Sequence, residues 1–388
     1  MNETCSFPLT SSRPQEHGVR DIPDAIPVDK IKRVLIVAPQ LLGDAVVSTV
    51  LLTALKSVVP HCLIDVLAQQ TLSDIFADNP DVNALHKVDG HWRKRGVLRT
   101  LRPRLDLIRV LRRQRYDLLI QSPHSTDGSW GPVLIWLLRI PYAVGAAASA
   151  HGSPLKRLLW RKTFSHRLGE AHPEQPPRHA AEVHLDLLRR IGLLPPPGSR
   201  GTSLVPNEAS AARLATRLAS LQIPRKRFVL FAPTAGNAGR TLGFDLCSEF
   251  IARCVADGRV VVLTAGPTDR ERSFVDSLCR DRGGLVHTLN TDLTLAELIA
   301  LTAAAQVFVG TDSGSMHVAA AMHTPVVACF GPGDEYRFGP WQTAHRLITS
   351  PRSCRPCDQN GCGNSGRADC LYDLSAESLI RALNALTS

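Results

Sequence analysis

The segment best suited to chemistry is VFVGTDSGSMHVAAAMHTPVVACFG, which runs from Val307 to Gly331. An apolar run there gives way to small polar residues that open a helix. The first amides of a helix carry partial positive charge and glycine lets a ligand approach the backbone, so this pattern can hold an anion such as a diphosphate. The same residue types are also common helix caps that bind no ligand, and the spacing leaves both interpretations open. The candidate residues are Asp312, Ser313, Gly314, Ser315 and His317.

A second loop, PQLLGDAVVST, carries Gly43 and Asp44 between an apolar run and the start of a helix. Asp44 could cap that helix, or its carboxylate could project into a cleft as a general base, and spacing does not separate the two roles. The chain contains neither the glycine fingerprint of dinucleotide-binding proteins nor GxxxxGK[ST]. A nicotinamide-dependent dehydrogenase and a P-loop NTPase are therefore not supported.

A third loop, PTAGNAGRTLG (Pro233 to Gly243), is glycine-rich and follows another apolar run. Arg240 within it could pair with phosphate oxygens through two N–H groups, although a lone loop arginine is more often a solvated surface charge. Its place after the carboxyl end of a predicted strand favours a role in a site. Thr234 is taken as a second ligand contact in the same loop.

Four cysteines near the end of the chain follow a CxxC-x4-C-x7-C pattern in a loop rich in glycine, asparagine and aspartate. Four thiolates so close in sequence could hold zinc or iron tetrahedrally as a structural site. The spacing is not a usual zinc-site spacing, so reduced thiols or a disulfide remain alternatives. The four residues are Cys354, Cys357, Cys362 and Cys370.

These loops belong to a repeating order of apolar strand, loop and amphipathic helix, which predicts an α/β fold with parallel sheets covered by helices. The order stops at a proline-rich stretch and then begins again, which predicts two doubly wound, Rossmann-like domains that face each other across a cleft. The predicted parts are a mobile N-terminal leader (1–30), a first domain (31–195), a linker (196–204), a second domain (205–350), and a cysteine-containing loop with a C-terminal helix (351–388).

Basic residues exceed acidic ones, 45 to 35, and the net charge of +10 favours an anionic partner. Many of the basic residues lie between His91 and Arg115, among leucines at helical spacing that Pro103 interrupts. This segment could lie on an anionic membrane surface or could be a solvated face. No nucleic-acid recognition module accompanies the charge, so nucleic acid is not an expected partner.

The expected compartment follows from the leader and from the apolar segments. The first thirty residues are polar and interrupted by proline, without the apolar centre of an export signal. No stretch of eighteen uninterrupted apolar residues occurs, so no transmembrane helix is predicted. Several of the remaining cysteines lie in apolar segments, as reduced buried thiols do. We therefore expect a cytoplasmic protein.

Taken together, VLIVAPQLLGDAVVSTVLLTALKSVVPHCLIDVLA and VFVGTDSGSMHVAAAMHTPVVACFGPGD resemble the opening of the first domain and the nucleotide-sugar loop of glycosyltransferase family nine, the bacterial heptosyltransferases. PTAGNAGRTLG, HLDLLRRIGL and LTAGPTDRE look most like the heptosyltransferase III branch, which adds a side-branch heptose to the lipopolysaccharide inner core. Three positions depart from the family pattern. Arg240 stands where the family usually has Lys, Leu242 where it has Trp, and Ser315 where Pro or Leu is common.

The resemblance implies a GT-B architecture and an inverting transfer from ADP-heptose, with Asp44 as general base. It implies that Arg240 and the residues around Ser313 contact the donor, and that the cysteines form a structural element that recurs in the family. The implied acceptor is an anionic glycolipid, the lipid A-core, at the inner leaflet of the cytoplasmic membrane, so the protein would be peripherally associated with that membrane. No Asp-x-Asp pair is present, and no cofactor is expected to be required for catalysis. Alternatives are another donor sugar or acceptor glycan, or a non-catalytic binding protein on the same scaffold.

Overall fold

The computed structural model describes residues 25–89, 97–123, 131–146, 163–168, 177–280, 282–289 and 293–387. Within these ranges the chain forms two six-stranded sheets in which all neighbouring strands are parallel. The first sheet contains β1 (Arg33–Val37), β2 (Leu63–Gln69), β3 (Val82–Val88), β4 (Leu118–Gln121), β5 (Tyr142–Ala146) and β6 (His166–Leu168). The second contains β7 (Phe228–Ala232), β8 (Val260–Leu263), β9 (Val286–Thr288), β10 (Val307–Thr311), β11 (Val326–Phe330) and β12 (His345–Thr349).

Helices connect the strands and cover the sheets. The first domain has α1 (Leu42–Ser48), α2 (Val50–Val58), α3 (Val97–Gln114), α4 (Gly131–Leu138) and α5 (Ala180–Arg190). The second has α6 (Glu208–Ser220), α7 (Phe244–Ala256), α8 (Asp269–Cys279), α9 (Leu295–Ala304), α10 (Gly314–Ala321), α11 (Glu335–Phe338), α12 (Asp369–Tyr372) and α13 (Ala376–Thr387). None of the helices in the described ranges is both long and apolar enough to span a bilayer.

Both sheets have the same strand order. Counted along each domain, the spatial order is third, second, first, fourth, fifth and sixth strand, so the order reverses between β1 and β4 and between β7 and β10. The predicted doubly wound α/β fold is therefore confirmed. In such sheets ligands bind beyond the carboxyl ends of the strands at the reversal point, and the loops after β1, β7 and β10 start there.

The central strands are buried on both faces, which explains why they appear in the sequence as continuous apolar runs. In β1, Val34 and Ile36 belong to one apolar core and Leu35 and Val37 to another, on the opposite face of the sheet. Because successive side chains of a strand point to opposite faces, this alternation fixes the register of the strand between its two helical layers.

One predicted boundary differs in the structure, and the linker is described in more detail. Ile26 was expected in a mobile leader, but it is buried in the first core and its amide donates to the Ile191 carbonyl, so the first domain begins before residue 31. Residues 1–24 of that leader lie outside the described residues. The linker is held by both domains, because Thr53 donates to the Gly201 carbonyl and Trp341 donates to the Arg200 carbonyl. The proline-rich linker is therefore held in place where the chain passes from the first domain to the second.

A buried polar network lies at the amino end of the first sheet, away from the loops that follow β1. The Asp65 carboxylate accepts hydrogen bonds from Tyr116 (2.7 Å) and Asn83 (2.8 Å) and lies near Arg33 (3.4 Å) and His86 (3.6 Å). Burial alone would raise the pKa of Asp65, but these hydrogen bonds and the Arg33 charge lower it to about 2. The network therefore stabilises the folded state only while Asp65 is ionised.

We predict that Asp65→Ala lowers the free energy of unfolding by about 3–5 kcal/mol at neutral pH. The groups that now pair with the Asp65 carboxylate would be left without their partner. Since the pKa of Asp65 is depressed in the folded state, the stabilisation is present above pH ~4 and disappears as the pH falls towards 2. Urea denaturation across this pH range measures both effects. If the difference in the free energy of unfolding between the wild type and Asp65→Ala did not shrink at acidic pH, ionised Asp65 would not be the source of the stabilisation.

Candidate functional site

The three candidate loops lie at the reversal points of the two sheets. The loop after β1 leads into α1, the loop after β7 contains a 3-10 turn at Ala238–Arg240, and the residues after β10 lead into α10. The amino ends of α1 and α10 meet across the boundary between the domains. The structure thus brings together residues that are far apart in the sequence.

The amino end of α10 is open. Ser313 occupies the N-cap position, but its side chain does not cap the helix, and its hydroxyl instead bonds the Ser315 hydroxyl at 2.9 Å. Of the two interpretations that the sequence left open, the ordinary serine cap is not formed, and the anion-binding one stays a prediction. The amides of Gly314 and Ser315 can therefore face an anion, and the helix dipole favours negative charge at this end.

The two domains touch so closely that two glycines are required. A Cβ on Gly43 would lie 2.7 Å from Cδ2 of His317, and one on Gly314 would lie 2.7 Å from the Leu42 side chain. Real Cβ atoms essentially never make contacts this short. The glycines at these positions therefore allow the amino ends of α1 and α10 to approach each other.

Asp44 lies in the first turn of α1, half-buried, and the N-cap of that helix is Leu41. Its alternative role as the N-cap residue is therefore wrong. The charge of Asp44 also contributes to raising the pKa of Asp312, which places the two carboxylates near each other. A carboxylate of the first domain thus lies near the amino end of α10.

Arg240 lies between two carboxylates of its own domain. Nη1 is 2.8 Å from Asp312 Oδ2 and Nη2 is 3.2 Å from Asp358 Oδ1. Its carbonyl accepts a hydrogen bond from Thr311, the last residue of β10. In the described chain Nε has no hydrogen-bond partner. The guanidinium is therefore fixed beside α10 by its ion pairs with Asp312 and Asp358.

Asp312 is 4% exposed, and its burial raises the pKa to about 6 despite the nearby Arg240. The charges of Asp358 and Asp44 act in the same direction as burial. Deprotonation of Asp312 therefore adds negative charge at the place where an anion would bind.

His317 is buried at the end of α10 that faces Gly43. Burial lowers its pKa to about 3, and the neighbouring His179 and Arg240 contribute to the same shift. The imidazole is therefore neutral at physiological pH. It can offer a hydrogen bond to a phosphate or sugar hydroxyl, and it supplies no positive charge.

The loop after β7 holds the remaining predicted residues. Thr234 is 4% exposed, and its hydroxyl has no hydrogen-bond partner in the described ranges. Leu242 is buried in the core beneath α7, so the position where the family has Trp faces the interior. Arg270 holds this loop through the Ala235 carbonyl and the Thr241 hydroxyl.

The four clustered cysteines are free thiols, of which Cys354, Cys357 and Cys362 are exposed and Cys370 is buried. Among the residues that the structure describes, no three His, Cys, Asp or Glu side chains are grouped so that they could hold a metal ion. Cys354, Cys357 and Cys362 nevertheless lie near enough to Cys370 to act on the pKa of its thiol, and the structural zinc or iron site stays a prediction from the sequence. A disulfide among the four is not formed.

Sequence reasoning missed two residues of the site, Asp358 and Asn360. Both lie in the cysteine-containing loop, and they contact Arg240 and Gly239, respectively. The signal was present, since a stretch rich in aspartate and asparagine follows the CxxC pair. No spacing rule, however, links residue 358 to residue 240.

Comparisons with known proteins show which family the sequence of this chain matches. Residues 104–367 match the model of glycosyltransferase family 9 (heptosyltransferase). Lipopolysaccharide heptosyltransferase 3 of Escherichia coli is 29% identical over 77% of this chain and 83% of its own length.

Two solved structures share the fold. A family 9 glycosyltransferase from Veillonella parvula superposes with a TM-score of 0.75 at 20% identity, covering 94% of this chain and 99% of that one. The E. coli heptosyltransferase WaaC with ADP-2-deoxy-2-fluoro heptose superposes with a TM-score of 0.68 at 19% identity, covering 91% of this chain and 99% of that one. The predicted GT-B architecture is thereby confirmed, and the chain belongs to glycosyltransferase family 9.

Proposed function

We propose that this glycosyltransferase moves a heptose from ADP-heptose to the inner core of lipopolysaccharide, as a heptosyltransferase III-like enzyme. The observation that carries the proposal is the open amino end of α10, with Arg240 beside it and Asp44 opposite. The name of the E. coli relative and the ADP-heptose analogue bound to WaaC support this choice of sugar and nucleotide.

The donor diphosphate would lie against the amides of Gly314 and Ser315, with Arg240 as its cationic partner. The helix dipole and a charge-assisted hydrogen bond both favour the anion there. The buried hydroxyl of Thr234 and the neutral imidazole of His317 supply hydrogen bonds to the diphosphate or sugar. These groups would stabilise the negative charge that develops on the leaving nucleotide.

The reaction is a single displacement. Asp44 accepts the proton of an acceptor hydroxyl as that oxygen bonds to the anomeric carbon of the donor. The bond from this carbon to the diphosphate breaks on the opposite side, and ADP leaves with the electron pair. The anomeric configuration is therefore inverted, and the amides and Arg240 fulfil the role that a divalent cation has in other transferases.

The acceptor would be an anionic glycolipid, the lipid A-core, held by the first domain at the inner leaflet of the cytoplasmic membrane. A surface on α3 and α4 suits such contact. Trp136 is 78% exposed and lines a cleft of about 640 Å³ together with Arg112 and Arg139. Tryptophan and arginine favour the boundary between water and lipid, where each basic residue contributes about 1 kcal/mol. The basic residues at 90–96 lie outside the described ranges.

We predict that Asp44→Asn lowers kcat roughly 10²- to 10⁴-fold, the usual contribution of a general base, while the Kd for ADP stays within about twofold. EDTA is expected to leave the wild-type rate intact. Asp269→Asn is a matched control, because Asp269 is a fully exposed aspartate in the first turn of α8. Full activity of Asp44→Asn would remove the base assignment, and a strict need for added Mg²⁺ would contradict the cation-free mechanism.

Donor binding is expected to weaken as the pH rises through about 6. The pKa of Asp312 is raised to about 6, so above that pH its carboxylate repels the diphosphate and competes for Arg240. We expect the affinity for ADP-heptose to fall roughly 3- to 10-fold between pH 5 and pH 8. Asp312→Asn should abolish this dependence, as calorimetric titrations at several pH values can show. An equally steep dependence in the variant would assign the titration to another group.

The membrane surface makes a separate prediction. Wild-type protein should float with vesicles that contain phosphatidylglycerol at low salt and leave them at high salt, since exposed charges are screened. Trp136→Ser and the charge reversals Arg112→Glu and Arg139→Glu should reduce flotation. Tyr336→Ser and Arg381→Glu, exposed residues of the second domain, are the matched controls. Equal flotation of the α3–α4 variants and the controls would place membrane contact elsewhere.

A further inference from the structure

The loop that carries the cysteines packs directly against the turn that carries Arg240. The amide of Gly239 donates to the Asn360 side chain at 3.0 Å, across 121 residues of sequence. A Cβ on Gly239 would lie 2.2 Å from the Gly361 nitrogen and 2.7 Å from the Asn360 carbonyl carbon. The backbones of the Arg240 turn and of the cysteine loop are therefore in direct contact, and a residue larger than glycine at position 239 would push them apart.

Asp358 reaches Arg240 from this same loop, at 3.2 Å. Its own backbone is fixed, because the amides of Cys357 and Asp358 both donate to the Pro332 carbonyl, at 3.0 and 2.9 Å. The loop after β11 that contains Pro332 also packs on Asp312, since a Cβ on Gly333 would lie 2.2 Å from Asp312 Oδ2. The two carboxylates that hold Arg240 are thus anchored to one structural element.

A buried arginine ties the cysteine loop to the second domain. Arg355 is 7% exposed at its side chain; its Nε donates to the Gly331 carbonyl at 2.6 Å and its Nη2 pairs with Glu335 at 3.1 Å. A third N–H donates to the Ser350 carbonyl. The position of Asp358 is therefore determined by the fold and does not depend on a bound ligand.

From these contacts we propose that the cysteine loop is a wall of the nucleotide-sugar site and that Asp358 and Asn360 are positioning residues for Arg240. An unrestrained arginine has many side-chain conformations, and fixing one of them costs free energy when a ligand binds. Asp358 pairs with Nη2 and so limits the conformations of the guanidinium, while Asn360 holds the turn beneath it. The restraint exists before the donor arrives, so it lowers the cost of binding.

The proposal rests on the proposed donor site, and the experiment separates the two. Asp358 has a positive φ of 54°, so glycine removes its side chain without backbone strain and asparagine retains a hydrogen-bond acceptor. The variants are Asp358→Gly, Asp358→Asn and Arg240→Ala, with the double variant Asp358→Gly/Arg240→Ala. Gln222→Gly is the matched control, because Gln222, just after α6, is exposed and has a φ of 56°. ADP binding by calorimetry and the KM values for both substrates are measured.

We expect Asp358→Gly to raise the Kd for ADP and the KM for the donor about 2- to 5-fold, the range of a partly exposed ion pair, with the acceptor KM unchanged. Asp358→Asn should restore most of the affinity. Asp358→Gly should add nothing in the Arg240→Ala background, because Asp358 acts through Arg240. Gly239→Ala, which forces the two segments apart, should weaken ADP binding more than tenfold while Gln222→Gly changes nothing.

The possible failures differ. If Arg240→Ala weakens ADP binding and Asp358→Gly does not, the positioning role is wrong and the donor site stands. An equal loss from Asp358→Gly with and without Arg240 would also overturn it, because the effect would not pass through Arg240. If Arg240→Ala binds ADP as well as the wild type does, the proposed donor site fails and the positioning role fails with it.

Discussion

The site depends on the close approach of two helix ends that belong to different sheets. Gly43 on α1 lies against His317, and Gly314 on α10 lies against Leu42, with no room for a Cβ at either glycine. A side chain at either position would move the helices apart by the thickness of a methyl group. Reactions that require two bound groups in contact lose much of their rate from displacements of this size. The absence of two side chains thus sets the distance between the parts of the active site.

The electrostatic balance of the site follows from that approach. The charges of Asp44 and Asp358 both act on Asp312, and Arg240 is the cation that pairs with Asp312 and Asp358. Three ionised carboxylates around one arginine would repel a diphosphate. Because the pKa of Asp312 is about 6, its neutral form reduces this repulsion only at lower pH, whereas the uncapped amides of α10 add positive potential at any pH without a further charged residue. In the proposed site, helix amides and one arginine would therefore hold the anion without a cluster of basic side chains.

The sequence predicted the central part of the fold because that part is encoded locally. Strands such as β7 and β10 are buried on both faces and appear as apolar runs, and each is followed by glycine and small polar residues. The edge strand β12 was not predicted, since it is mostly exposed and its residues alternate weakly. Pro103 was expected to interrupt a helix and instead lies within α3 as its seventh residue, with the helix continuing on both sides of it.

The site was predictable only in part, for a related physical reason. Glycine and small polar residues between a strand and a helix mark candidate helix ends within a few residues, so Gly314 and Asp44 could be singled out as candidates, although spacing alone did not decide their roles. The contact of Asp358 with Arg240 spans 118 residues and depends on how the cysteine loop returns to the sheet. The hydrogen bonds that hold the linker and Ile26 in place could not be predicted for the same reason, because they join segments that are far apart in the sequence.

The central claim is that the amino end of α10 and Arg240 hold the donor diphosphate opposite Asp44. A crystal structure of the protein with ADP tests it most directly. The account predicts diphosphate oxygens at about 2.7–3.2 Å from the amides of Gly314 and Ser315 and from the Arg240 guanidinium, with the terminal phosphate facing Asp44. Diphosphate density away from α10, with Arg240 still paired to Asp312 and Asp358 alone, would contradict it.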